Sequence, residues 1–123
     1  MKKILIIDDD LGLVTAFSRI MEKHNFQVIS AQDGLQGTML AHNEKPDLIV
    51  LDLIMPLGGG ITTLRNLKLS VHTRGIPIIV FSGTGDEYLQ EEVLRLGIEH
   101  YVAKSCDFEP LALKIENILA KKE

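Results

Sequence analysis

Lys3-Ile4-Leu5-Ile6-Ile7-Asp8-Asp9-Asp10 sets four consecutive apolar residues directly against three carboxylates. A strand with one wet face alternates apolar and polar side chains. An unbroken apolar run needs both faces covered, as in a parallel sheet layered between helices. The run is too short for a secretory leader, and no apolar stretch approaches the roughly 18 residues that a membrane span requires.

Working outward, the same kind of run recurs. Phe26 to Ser30 is a mixed example, Leu48 to Leu51 and Ile76 to Phe81 are continuous, and Glu99 to Ala103 is a short fifth. Between them, apolar residues fall at helical spacing: Leu11, Val14, Phe17 and Met21; Leu35, Met39 and His42; Ile61, Leu64 and Leu67; Leu89, Val93 and Leu96; Leu111, Ile115, Ile118 and Leu119. Gly97 is placed to stop the fourth helix. Pro46 and Pro77 sit where strands begin, since the residue before proline disfavours helix. Strict alternation of strand and helix predicts an α/β domain with a parallel sheet and right-handed crossovers. The 123 residues match one domain, expected to span 1–123.

In such sheets ligands gather at the carboxyl ends of the strands. Asp8, Asp9 and Asp10 follow the first strand, Asp52 the third, Ser82 the fourth and Lys104 the fifth. Convergent carboxylates repel one another, and a divalent cation relieves the conflict. Hard oxygen donors suit Mg2+. A carboxylate nucleophile, Mg2+, a lysine and a hydroxyl together suit a tetrahedral phosphoryl group, carried as an acyl phosphate. Singly, each residue has a plainer reading: helix cap for Asp8 or Asp10, turn residue for Ser82, solvated side chain for Lys104. Four such residues at the ends of four different strands make the plain reading the weaker one.

These segments closely resemble the receiver domains of two-component response regulators along essentially the whole chain. The opening strand with its acidic pair carries the likeness. So do Asp52-Leu53-Ile54-Met55-Pro56 with Gly60, Ile79-Val80-Phe81-Ser82-Gly83, and Gly97 to Lys104. The resemblance implies a doubly wound, flavodoxin-like sheet in the order 2-1-3-4-5 with five helices in three layers. It implies that Asp52 takes a phosphoryl group from a sensor histidine kinase or phosphotransfer protein. Asp9, Asp52 and the backbone carbonyl of Ile54 would bind Mg2+ directly, and Asp8 mostly through water. Lys104 and Ser82 would contact phosphoryl oxygens, and Tyr101 would move with Ser82 as a switch.

The chain departs from the family pattern in four places. Ser105 replaces the proline that usually follows the lysine and often carries a cis bond; before a non-proline residue that bond costs about 3–4 kcal/mol. Gly58-Gly59-Gly60 reads as a loosened loop beside the site. Ile54 and Thr84 flank the path of attacking water, and an apolar Ile54 cannot orient that water, so self-dephosphorylation is expected to be slow. Gly83 replaces the commoner alanine and is expected to matter little.

Two rival readings differ in class. A phosphohydrolase of the haloacid-dehalogenase type would use Asp8 as nucleophile and Asp10 as general acid, but lacks a later acidic pair. A receiver-like module could bind partners without being phosphorylated, although such modules usually lack one of the acidic residues or the lysine. A nucleotide- or flavin-binding loop needs glycines where this chain has aspartates.

The net charge of −4 argues against direct nucleic-acid binding. The one cysteine, Cys106, permits no internal disulfide and reads as an ordinary small residue; it fits a cytoplasmic setting. His24, His42, His72 and His100 read as scattered surface residues. Lys121-Lys122-Glu123 follows the last helix closely, so the expected output is contact with a downstream protein target or an output domain outside this sequence.

Overall fold

The computed structural model describes residues 1–55, 59–83, 87–104 and 107–122. Among them the chain runs β1 (Lys2–Ile7), α1 (Leu11–Lys23), β2 (Phe26–Ala31), α2 (Gly34–Glu44), β3 (Leu48–Leu51), α3 (Gly59–Leu69), β4 (Ile78–Ser82), α4 (Glu87–Arg95), β5 (His100–Ala103) and α5 (Phe108–Lys122). All strand pairs are parallel, in the order β2-β1-β3-β4-β5.

The continuous apolar runs divide residue by residue between two cores, because successive side chains in a strand point to opposite faces. Ile4 and Ile6, Leu48 and Val50, and Ile79 and Phe81 pack with Val14, Phe17 and Met21 of α1 and Leu111, Ile115 and Leu119 of α5. Leu5 and Ile7, Ile49 and Leu51, and Ile78 and Val80 pack on the other face with Ala41 of α2, Leu64 and Leu67 of α3 and Val93 of α4. Each large aliphatic side chain so buried stabilises the fold by about 1.5–3 kcal/mol. Strand order turns back at β1, which sits between β2 and β3, and the crevice beyond its carboxyl end is where such sheets bind ligands.

The helices start and stop on local chemistry. Asp10 caps α1 by accepting from Leu13 N, and Asp33 caps α2 by accepting from Gln36 N. Gly97, at φ +80°, ends the turn after α4, as its position in the sequence predicts.

The inward face of α2 differs from its sequence pattern. Leu35 and Met39 are 75% and 55% exposed, while Gly37 and Ala41 face the sheet. A side chain at Gly37 would put its Cβ 2.6 Å from Ile7 Cδ1. The helix lies so close to β1 at Gly37 that no larger residue fits there; Leu35 and Met39 turn outward, and Leu40 packs at the edge of the core. Leu11 is likewise exposed, leaving Val14, Phe17 and Met21 as the buried stripe of α1.

Three of the four histidines are also not scattered. His42 and His72 bring their rings to 4.5 Å between centroids. His24, at the C-terminal cap of α1, sits between two carboxylates of α5, with Nδ1 2.6 Å from Glu116 Oε1 and Nε2 2.8 Å from Glu109 Oε2. Both ring nitrogens can donate only in the imidazolium form. The hydrogen bond to Glu109, then that to Glu116, holds the His24 pKa above its ordinary value, against a smaller opposing effect of burial.

A folded-state pKa above the unfolded one favours the protonated fold. This stabilisation is complete below about pH 6.5 and is lost as pH rises through the folded pKa. NMR titration of the His24 ring should give a midpoint above that of a free histidine, and Glu109→Gln or Glu116→Gln should lower it. A midpoint at or below the ordinary value would contradict the ion-paired arrangement.

Candidate functional site

The last rungs of the sheet fix the backbone of three of the candidate residues. Asp8 N donates to Ala31 O at 3.0 Å, Asp52 N to Ile7 O at 3.0 Å, and Lys104 N to Ser82 O at 3.1 Å. These residues thus remain tied into the ladder although they lie just past the strands, and their side chains converge from β1, β3 and β5.

Asp8 and Asp52 are almost fully buried, at 2% and 3% exposure, whereas Asp9 is exposed. The Lys104 ammonium lies between the two buried carboxylates, 3.0 Å from Asp8 Oδ2 and 3.1 Å from Asp52 Oδ2. The remaining oxygens are held by backbone: Asp8 Oδ1 accepts from Asp10 N at 2.9 Å, and Asp52 Oδ1 from Ile54 N at 3.0 Å. Ser82 is buried at the end of β4, and Tyr101 is half-buried on β5, opposite Val80.

Burial raises the Asp52 pKa above the usual carboxylate value, and the charge on Asp8 adds to it. The Ile54 N–H and Lys104 act in the opposite direction without cancelling the rise. For Lys104, burial disfavours the ammonium, but its hydrogen bonds to Asp8 and Asp52 outweigh that and hold its pKa above the ordinary lysine value.

Asp8, Asp9 and Asp52 each offer a carboxylate oxygen within 4.8 Å of the others, a group that could hold a metal ion. Three carboxylates facing one ammonium leave excess negative charge, and two of the three carboxylates are buried. A small divalent cation fits that donor set: all-oxygen, hard, and with one exposed side that leaves room for water.

Gly60 has a definite structural role. A Cβ there would lie 2.3 Å from Leu53 Cα and 2.4 Å from Asp52 O, and Gly60 N donates to Leu53 O at 2.9 Å. The first turn of α3 presses directly on the backbone that carries Asp52, so the residue tightens the site rather than loosening it. Gly59 adopts φ +67°, a left-handed conformation that suits glycine. At Gly83 an added Cβ would meet Lys104 Cβ and Cδ at 3.9 Å, ordinary contact, so alanine there is sterically harmless. Ile54 is 57% exposed beside Asp52. Asp10 spends its side chain on capping α1, which leaves it poorly placed to act as a general acid. Pro56, Gly58, Thr84, the Lys104–Ser105 peptide and Cys106 lie outside the described residues.

Comparison with known proteins agrees with this fold. The family described as "Response regulator receiver domain" matches residues 4–116. The chain is 34% identical to protein PilH of Pseudomonas aeruginosa, over 98% of this chain and 99% of that protein. It is 32% identical to the alkaline phosphatase synthesis transcriptional regulatory protein PhoP of Bacillus subtilis, over 99% of this chain but 50% of that regulator. A CheY-like receiver domain protein of Methanospirillum hungatei superposes with a TM-score of 0.90 at 26% identity, covering 98% of this chain and 95% of that one.

The raised Asp52 pKa has a sign that stability measurements can read. Ionising this group is harder in the folded protein than in the unfolded chain. Stability is therefore lost as pH rises from the unfolded value of about 3.8–3.9 through the folded one. With chelator present at pH 7, Asp52→Asn should unfold at a higher temperature than the parent, by roughly 3–5 °C per kcal/mol of relief. Mg2+ should narrow the difference by stabilising the parent alone. A lower melting temperature for Asp52→Asn without metal would contradict the electrostatic reading.

Proposed function

The chain belongs to the response regulator receiver domain family, and on that premise we propose that residues 1–123 form one receiver unit whose phosphoacceptor is Asp52. Receiver domains interact with histidine kinases or phosphotransfer proteins, and the donor proposed here is a phosphohistidine on such a partner. The observation that carries the reading is a buried carboxylate, Asp52, with an ammonium 3.1 Å away and two further carboxylates close enough to share a cation.

In the transfer, one oxygen of ionised Asp52 attacks phosphorus. The bond from phosphorus to the donor's imidazole nitrogen breaks, and its electron pair returns to the ring. Lys104 keeps Asp52 ionised beforehand, then shifts to an oxygen of the arriving phosphoryl group; the Ser82 hydroxyl bonds another. Asp9, Asp52 and the Ile54 carbonyl would hold Mg2+, with Asp8 acting mainly through water, and the ion would neutralise charge on the phosphoryl oxygens. The tight backbone around Gly60 limits how far Asp52 can recoil during this exchange.

The signal is then a new charge at the end of the sheet. Ser82 and Tyr101 stand on neighbouring strands, where Val80 pairs with Tyr101 and Ser82 with Ala103. Drawing Ser82 toward the phosphoryl group biases Tyr101, and with it the face formed by α4, β5 and α5, toward a second arrangement. That face would be read by a protein target or by an output domain. In this reading the chain is a cytoplasmic signalling element rather than an enzyme acting on a separate substrate, and it contacts no nucleic acid or membrane directly. Among the described residues, no helix is long and apolar enough to cross a membrane.

Incubation with acetyl phosphate and Mg2+ should add one phosphoryl group, seen by intact-mass measurement. Asp52→Asn or chelation should reduce labelling at least tenfold. No label on the parent protein would favour a module that binds partners without phosphorylation. Since exposed, apolar Ile54 cannot orient attacking water, the phosphorylated form should persist for minutes or longer without a phosphatase. A half-life of seconds or less would contradict that role for Ile54.

A further inference from the structure

At the opposite end of the sheet from the acidic cluster, two imidazoles stand together. His42 lies in the last turn of α2, and His72 in the turn between α3 and β4. Their ring centroids are 4.5 Å apart, with planes tilted by 51°. Both side chains are exposed, and both line a cavity of about 230 Å3 with Thr38, Met39, Ser70 and Thr73.

The surrounding backbone is secured without the rings. Thr73 Oγ1 donates to Leu67 O at 2.6 Å, Arg74 N to Ser70 O at 2.9 Å and His72 N to Ser70 Oγ at 3.2 Å. The end of α2 is closed by Lys45 in the left-handed conformation. Among the described residues, neither imidazole has a protein hydrogen-bond or ion-pair partner. The two rings are thus positioned by segments that do not need them, with their nitrogens uncommitted.

We propose that His42 and His72 form a binding site for a borderline divalent transition ion of the Zn2+ class. Two imidazoles on one tetrahedral ion, at metal–nitrogen distances of about 2.0–2.1 Å, would hold their centroids roughly 5.2 Å apart. The observed 4.5 Å lies inside that span, so a small outward rotation of the two exposed side chains would seat both rings on one ion. Met39 adds a thioether to the same cavity, a soft donor that hard cations avoid. Exposure leaves the other coordination positions to water. The chain would then sort cations by chemistry, Mg2+ to the oxygens of the acidic cluster and softer ions to this nitrogen pair. A bound ion would tie the end of α2 to the turn that leads into β4.

The test is an NMR titration of the histidine ring nitrogens with ZnCl2. It is run in slightly alkaline buffer, since imidazole nitrogens ligate metals in their deprotonated form, with excess Mg2+ present to compete for the acidic cluster. The signals of His42 and His72 should shift together and saturate at one equivalent. His42→Ala and His72→Ala should each weaken Zn2+ binding tenfold or more while leaving the far-ultraviolet circular dichroism unchanged, and Asp52→Asn should leave it intact. Ring signals that stay put at several equivalents, or alanine variants that bind as tightly as the parent, would overturn the proposal. Because both residues are remote from Asp52, either result leaves the receiver reading untouched.

Discussion

Two carboxylates, Asp8 and Asp52, are almost wholly withdrawn from water with one ammonium between them, and the rest of the site is organised around that constraint. Lys104 can hold both but cannot neutralise both. Each carboxylate therefore turns its second oxygen to a backbone N–H, of Asp10 in one case and Ile54 in the other. The last sheet hydrogen bonds at Asp8, Asp52 and Lys104 keep the three backbones from drifting apart. In the function proposed above, that excess negative charge recruits a cation and leaves one carboxylate poised for a group that brings its own charge.

Much of this was legible in the sequence for simple reasons. Parallel strands covered on both faces must be apolar throughout, so Ile4 to Ile7, Leu48 to Leu51 and the run ending at Phe81 stand out against any surface segment. The strand ends then point to Asp8, Asp52, Ser82 and Lys104, and the structure brings the carboxylates and the lysine to one place. The inward face of α2 was not legible in the same way. Periodicity looks for large apolar residues, and this helix packs so close to β1 that glycine and alanine take the inward positions. Gly60 escaped similarly, because a glycine kept for lack of space looks, in sequence, like one kept for flexibility. The pairing of His24 with Glu109 and Glu116 joins residues far apart in the chain, and spacing carries no trace of it.

The relatives carry the matched unit in chains of different length. In PilH the matched region is nearly the whole protein, while the chain spans about half the length of PhoP and of the other transcriptional regulators it matches. Physically this is natural. The residues of the candidate site occupy only one edge of the sheet. The local determinants of the site, from the sheet rungs to Gly60, lie within this one domain, whatever is attached to it.

The most direct test of this account is to trap the modified residue itself. After exposure to acetyl phosphate and Mg2+, borohydride reduces an aspartyl phosphate to homoserine, and peptide mass spectrometry locates the change. The account predicts homoserine at Asp52 and nowhere else, disappearing when Mg2+ is removed. Homoserine at Asp8 would contradict it and point to the phosphohydrolase chemistry instead.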